Sequence, residues 1–278
     1  MVPGQGTDLT GRDRKTHSMI NLRQYGKPPY TAAVVHGGPG ARGETAPVAR
    51  ELSSLAGILE PLQTATTLEE QVYELYTVLQ ENSRPPVTLV GHSWGAWLSF
   101  IVTARYPALA KKLILIGSGP FEHRYAEGII GSRLTRLSEA DRLRAISLIE
   151  ALSNPYTVNK NELFGEFGTL FAQADAYDPL PDEREVLEMQ YTSGQQVWQE
   201  AEALRSSGEL LEMGKRITCP VVAIHGDYDS HPAEGVERPL SRVLRDFRFV
   251  LLDKCGHSPW LEKQARDRFY GILKSEIE

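Results

Sequence analysis

"PVTLVGHSWGAWLSFIVTARY", residues 86–106, is the stretch whose reading decides the fold. Its opening, P-V-T-L-V, is short, apolar and β-rich, as a buried strand is. Its end, from Trp94 to Tyr106, is apolar on nearly every side and stops before Pro107, as a buried helix would. A Gly-x-Ser-x-Gly pattern alone is weak evidence of anything. Set between a strand and a helix it acquires a steric meaning: so sharp a turn strains the serine backbone and presses its neighbours against both elements, and glycine at 91 and 95 removes the side chains that would collide. Ser93 would then project from the carboxyl edge of a sheet at a helix N-terminus, where the partial positive charge favours a developing oxyanion. It is the candidate nucleophile.

Outward from this turn, the same alternation continues. "YTAAVVHG" (30–37), "KKLILIG" (111–117), "PVVAIHG" (220–226) and "FRFVLLD" (247–253) read as strands. "TTLEEQVYELYTVLQ" (66–80) reads as a helix with Leu68, Val72, Leu75 and Leu79 on one face and Thr66 and Glu69 spaced as a capping box. "SPWLEKQARDRFYGILKSEI" (258–277) reads as a terminal helix with Pro259 near its first turn. Near-continuous apolar strands separated by helices predict an α/β fold, a mostly parallel sheet covered by helices on both faces. Between 117 and 220 no strong strand pattern occurs, whereas 138–152, 161–174 and 183–205 all carry apolar positions three and four apart. The expected organisation is therefore a core of residues 19–120 and 216–278, a helical cap inserted at 121–215, and a loose polar arm at 1–18. Residues 122–215 hold 17 acidic and 9 basic side chains, so the insertion carries −8 while the rest of the chain carries +2. Solvated helix faces account for that charge more cheaply than a cation site does.

The whole chain narrows the classes of function. At 278 residues with a net charge of −6 and no block of lysines or arginines, it lacks the footprint of a nucleic-acid or anionic-membrane surface. No stretch approaches the roughly 18 apolar residues that span a bilayer, and the N-terminus has no signal-peptide core. The expectation is a cytoplasmic protein whose partners are small molecules, with no nucleic acid, no membrane and an open oligomeric state. Cys219 and Cys255 form no Cys-x-x-Cys or zinc spacing. "DYDSHPAEG" (227–235) starts like a calcium loop but puts His231 and Pro232 where a ligand and a glycine belong. Neither metal nor cofactor is expected.

A serine hydroxyl needs a base to take its proton and an acid to orient that base. Chain order selects His257, in "DKCGHSPW" after the last strand, as the base. His92 adjoins Ser93 and points elsewhere, and His36 and His225, at strand ends, read as structural.

"HGGPG" (36–40), "GHSWG" (91–95), "HGDYD" (225–229) and "GHSPW" (256–260), in this order, resemble the α/β-hydrolase superfamily, specifically its proline-iminopeptidase-like branch, over residues 30–275. The resemblance implies that the acid ends a Gly-x-x-Asp, which is Asp229, with Asp227 and then Asp253 as alternatives. It also implies an oxyanion hole built from the backbone N–H groups of Gly38 and Trp94. The implied activity is cleavage of a small ester or amide by a Ser-His-Asp triad through an acyl-enzyme; a proline-iminopeptidase-type aminopeptidase and a non-catalytic ligand-binding protein of the same fold are the alternatives. Two features depart from that branch. Its D-x-R-G-x-G-x-S segment is replaced by "GILEPLQTATT" (57–67), and its tryptophan-rich, amine-binding stretch has no clear counterpart, only Glu200 and Glu202 in "QVWQEAEAL". The chain before Tyr30 looks short for the branch's opening strands, so a reduced sheet is expected.

Overall fold

The computed structural model describes residues 21–181, 185–187 and 191–277; the arm expected at 1–18 lies outside them. Seven strands form one sheet: β1 (Leu22–Tyr25), β2 (Tyr30–Val35), β3 (Gly57–Pro61), β4 (Val87–His92), β5 (Ala110–Ile116), β6 (Val221–Gly226) and β7 (Phe247–Leu252). Their order is β1-β3-β2-β4-β5-β6-β7, with β1 antiparallel to β3 and every other pair parallel. β4, which leads into Ser93, is therefore central.

The period-2 geometry of a strand divides each apolar run between two faces. Ala33, Val35, Leu89, Leu113, Leu115 and Ala223 share one core with α2 (Leu68–Asn82) and α3 (Trp94–Arg105). Their neighbours Ala32, Val34, Val90, Ile114, Ile116 and Ile224 share the other with α1 (Ala46–Leu52) and α10 (Arg266–Ile277). Burial on both faces is why these strands read as unbroken apolar runs. β7 is an edge strand and is only partly covered; Leu251 is exposed.

The chain between β5 and β6 forms α4 (Ile129–Arg136), α5 (Glu139–Ser153), α6 (Lys160–Ala174), α7 (Tyr191–Ser207) and the short α8 (Glu209–Glu212); α9 (Glu234–Val243) follows β6. Helicity was expected from 183; of that stretch 183–184 and 188–190 lie outside the described residues, α7 is described over Tyr191–Ser207, and Glu185–Leu187 instead reach across to the core. There Glu185 pairs with Arg50 and Arg23, and Leu187 N–H bonds Arg42 O at 2.8 Å. Among the described residues no helix is long and apolar enough to cross a membrane.

Several local expectations need correction. α2 is capped one residue later than the sequence suggests: Thr67 accepts from Glu70 N–H at 3.2 Å, while Glu69 turns across to Arg105 at 2.5 and 2.6 Å. Pro259 opens only a single 3₁₀ turn, and the terminal helix begins at Arg266. One opening strand, β1, does fit before Tyr30. β3 was invisible because its fourth residue is a buried glutamate. Glu60 is accommodated by Tyr25 Oη, donating at 2.8 Å, by Thr45 Oγ1 at 3.3 Å and by Arg23 at 3.6 Å.

The turn between β4 and α3 is closed by contact. A Cβ on Gly95 would lie 2.3 Å from Val35 O and 2.4 Å from His36 O, and one on Gly91 would lie 2.2 Å from Gly95 O. None of those backbone atoms can move without displacing the sheet. Gly95→Ala should accordingly destabilise the protein by about 3 kcal/mol or more, read as a lowered denaturation midpoint; an unchanged midpoint would mean that β2 and α3 are not packed this closely.

Candidate active site

Ser93 sits between β4 and α3 with φ 53° and ψ −115°, a conformation side chains rarely adopt. Its N–H is held by Ile116 O at 2.9 Å, tying it to the end of β5. From the other side, a Cβ on Gly37 would lie 3.1 Å from Ser93 Cβ. Strain of this kind persists only where the surroundings over-determine it.

His257, on the loop after β7, packs against the end of β5 that holds Ser93. A Cβ on Gly117, the residue after Ile116, would lie 2.7 Å from His257 O and 3.2 Å from its Nδ1. His257 N–H bonds Asp175 O at 2.9 Å, and its carbonyl accepts from His92 Nε2 at 3.1 Å. His92 thus serves the loop rather than competing for the serine proton, and its other nitrogen lies 3.3 Å from the Glu44 carboxylate.

Asp229 is the carboxylate on His257, its Oδ2 accepting from Nδ1 at 2.7 Å. The two alternatives lie elsewhere: Asp227 accepts from Cys255 N–H at 3.1 Å, and Asp253, 80% exposed, pairs with Arg268. Burial alone would raise the Asp229 carboxyl, but the rings of His257, His231 and His225 outweigh it and hold the group well below the usual carboxylate range. For His257 the balance runs the other way. Burial opposes its charged form, Asp229 favours it more strongly, and the imidazole ends above its ordinary value.

One residue escaped the sequence reading. His231 donates to Asp229 Oδ1 through both its backbone N–H and its Nδ1, each at 2.9 Å, and its ring lies 4.7 Å from that of His257. Burial lowers it to about 4 in spite of Asp229, so it is neutral at physiological pH. The sole sequence signal was the spacing Asp-x-His, which appears by chance too often to be informative. His225 donates from Nε2 to His231 O at 2.8 Å and completes the buttress. Asp229, His231 and His257 are also the described groups that could hold a metal, their ligand atoms lying within 4.8 Å of one another. Both Nδ1 atoms, however, donate N–H to the carboxylate, which leaves the trio satisfied internally.

Gly38, with φ +34°, and Pro39 border a cavity of about 530 Å³ together with Ser93 and His231. Trp94 is the first residue of α3, where backbone N–H groups have no partner within the helix. The inserted helices form the rest of the cavity wall, chiefly apolar through Ile129, Phe164, Phe167, Phe171 and Trp198. They are fastened to the core loops. Buried Glu262 accepts from Gly256, Tyr177 and Asp178 N–H at 2.9 Å each, and Arg136 donates to Tyr228 O at 2.7 Å. Of the two glutamates singled out from the sequence, Glu200 accepts from Leu68 N–H at 2.7 Å, at the start of α2, while Glu202 borders the cavity paired with Arg205.

The comparisons with known proteins agree with this architecture. VinJ superposes with a TM-score of 0.63 at 16% identity, over 92% of this chain and 93% of its own. A putative lipase from Acinetobacter baumannii AYE gives 0.61 at 18%, over 91% and 87%. The proline iminopeptidase of Mycobacterium smegmatis gives 0.58 at 16%, over 92% and 93%. At such identities these likenesses speak for the fold alone, and no curated sequence matches the chain. A family model, described as alpha/beta hydrolase family, matches residues 6–271, nearly the whole length, and the chain belongs to that family.

Proposed function

We propose that the protein is a serine hydrolase cleaving a small ester or amide, with Ser93 as nucleophile, His257 as base and Asp229 as the acid that orients it. The observation that carries this reading is the Asp229–His257 pair, 2.7 Å apart, with His257 packed against Gly117, next to the Ile116 carbonyl that holds Ser93 in its strained turn. Asp229 fixes the proton on His257 Nδ1, which leaves Nε2 as the atom able to take the Ser93 proton. Ser93 Oγ then bonds the carbonyl carbon, and the negative charge moves to the carbonyl oxygen. The N–H groups of Gly38 and Trp94 are the donors for that oxygen. His257 returns the proton to the leaving group as its bond to carbon breaks, and water repeats the sequence to release the acid and restore Ser93. In this reading residues 121–215 act as a cap that keeps the site apolar and shapes the acyl pocket. A cavity of about 530 Å³ suits a small organic substrate.

The aminopeptidase alternative draws on the likeness to a proline iminopeptidase and on the acidic insertion. The placement of the glutamates favours the esterase or amidase reading instead, because Glu200 serves α2 and Glu202 is already matched by Arg205.

A fluorophosphonate probe should label the protein, and Ser93→Ala should abolish both labelling and turnover of a short acyl ester. Folded wild-type protein that never labels would favour a non-catalytic ligand-binding role. Asp229→Asn should lower kcat by about 10⁴-fold by allowing the wrong tautomer of His257. His257 works only when neutral, and its ionisation is raised, so kcat/KM should climb with pH along a limb whose midpoint lies above the ordinary histidine value of 6.5. A limb centred below 6.5 would contradict the Asp229–His257 coupling.

A further inference from the structure

We propose that this cavity takes an acyl substrate bearing a carboxylate remote from the scissile bond, and that Arg205 is the residue that recognises it. The inference rests on the hydrolase reading and names its substrate class.

Arg205 lies on α7, borders the same cavity as Ser93, and is only 4% exposed. A buried guanidinium normally has its N–H groups occupied, because each one left without an acceptor is costly. Here Nη2 donates to Glu202 Oε1 at 2.7 Å, while Nε is buried with no acceptor. Glu202 is a weak counter-charge, since its own side chain is 43% exposed and shared with solvent. Burial accordingly lowers the Arg205 ionisation by more than Glu202 restores it. The contrast with Arg133, on the same wall, is instructive. Its Nε reaches both oxygens of Asp175, at 3.0 and 2.8 Å, its Nη2 one of them at 2.6 Å, and Asp175 is itself buried. Arg133 is a closed structural pair, and Arg205 is a cation with donor capacity to spare.

Its surroundings suit an anion. The Arg205 guanidinium carbon lies 5.4 Å from the centroid of the Trp97 ring, which stacks on Trp198 with 5.6 Å between centroids and 1° between planes. Indole walls exclude water, and a charged hydrogen bond is stronger where water is excluded. The planar fork of arginine matches the two oxygens of a carboxylate. Position then sets the substrate's shape: Trp97 follows Ser93 by four residues on α3, about 6 Å along the helix axis. The carboxylate bound by Arg205 is thus separated from the carbonyl at Ser93 by a chain of several bonds, and apolar walls hold that chain.

The decisive comparison is kcat/KM for mono-p-nitrophenyl adipate against p-nitrophenyl hexanoate, esters of equal chain length that differ in the terminal carboxylate. Wild type should prefer the adipate ester. Arg205→Met should reduce the ratio by about 10- to 100-fold. Arg205→Lys should retain part of the preference, and Glu202→Gln should increase it more when Arg205 is present than in Arg205→Met, a dependence that a merely structural Arg205 would not give. A wild-type ratio of one or less, or a ratio unmoved in folded Arg205→Met, overturns the proposal. Should Arg205→Met fail to fold, a ratio that does not rise in Glu202→Gln overturns it equally. Adipate binding to Ser93→Ala, followed by indole fluorescence against hexanoate, separates the two ideas. Turnover surviving in Ser93→Ala refutes the nucleophile; adipate binding no tighter than hexanoate refutes only the carboxylate site.

Discussion

A carboxylate with no solvent contact is among the most expensive groups a protein can bury, and the site is organised around keeping Asp229 charged in spite of that. Four donors reach it or its margin: His231 twice, His257 once, and His225 at 3.5 Å. His225 lies near the end of β6 and the other two in the chain that follows β6 or β7, at the carboxyl ends of parallel strands, where loops from neighbouring strands converge. Removing one ring would leave the same buried charge with fewer partners, so the three histidines are bound to one another through the acid. His231, although it touches no reacting atom in the proposed mechanism, fixes the other half of the carboxylate that His257 depends on.

The same loops carry the inserted helices. His257 N–H is held by the carbonyl of Asp175, whose side chain holds Arg133 of α4, and Glu262 gathers three N–H groups from both sides of that boundary. The histidine loop and the wall of the cavity are therefore one hydrogen-bonded unit. A change in the insertion that shifted Asp175 would be felt at His257 before it was felt by the sheet. In the proposed mechanism this joins the cavity wall, which the inserted helices form, to the alignment of the base.

The acidity of the insertion does not carry over to the cavity. Of the charged side chains from the insertion that border the cavity, Glu127 is exposed and Glu202 partly so, while Arg133 is matched by buried Asp175 and Arg205 only in part. Counting charges along the chain gave the sign of the surface, not of the pocket.

Much of the architecture could be read from the amino-acid order, because local chemistry fixed it. Near-continuous apolar runs placed β2, β4, β5 and β6 in a doubly covered sheet. Gly91 and Gly95 marked a turn that no larger residue fits, chain order singled out His257, and the family resemblance pointed to Asp229 with Asp227 and Asp253 as alternatives. β1 and β3 were missed because Arg23 and Glu60 interrupt any apolar pattern and become intelligible only as partners across the sheet. α1 and α9 contain Pro47 and Pro239, which obscure helical periodicity. The choice of Asp229 on His257, the service of Glu200 to α2 rather than to a ligand, the second histidine at 231 and the half-matched Arg205 all depend on contacts between residues distant in sequence. Spacing along a chain encodes which face a residue shares, and only the packed fold decides which charge it meets.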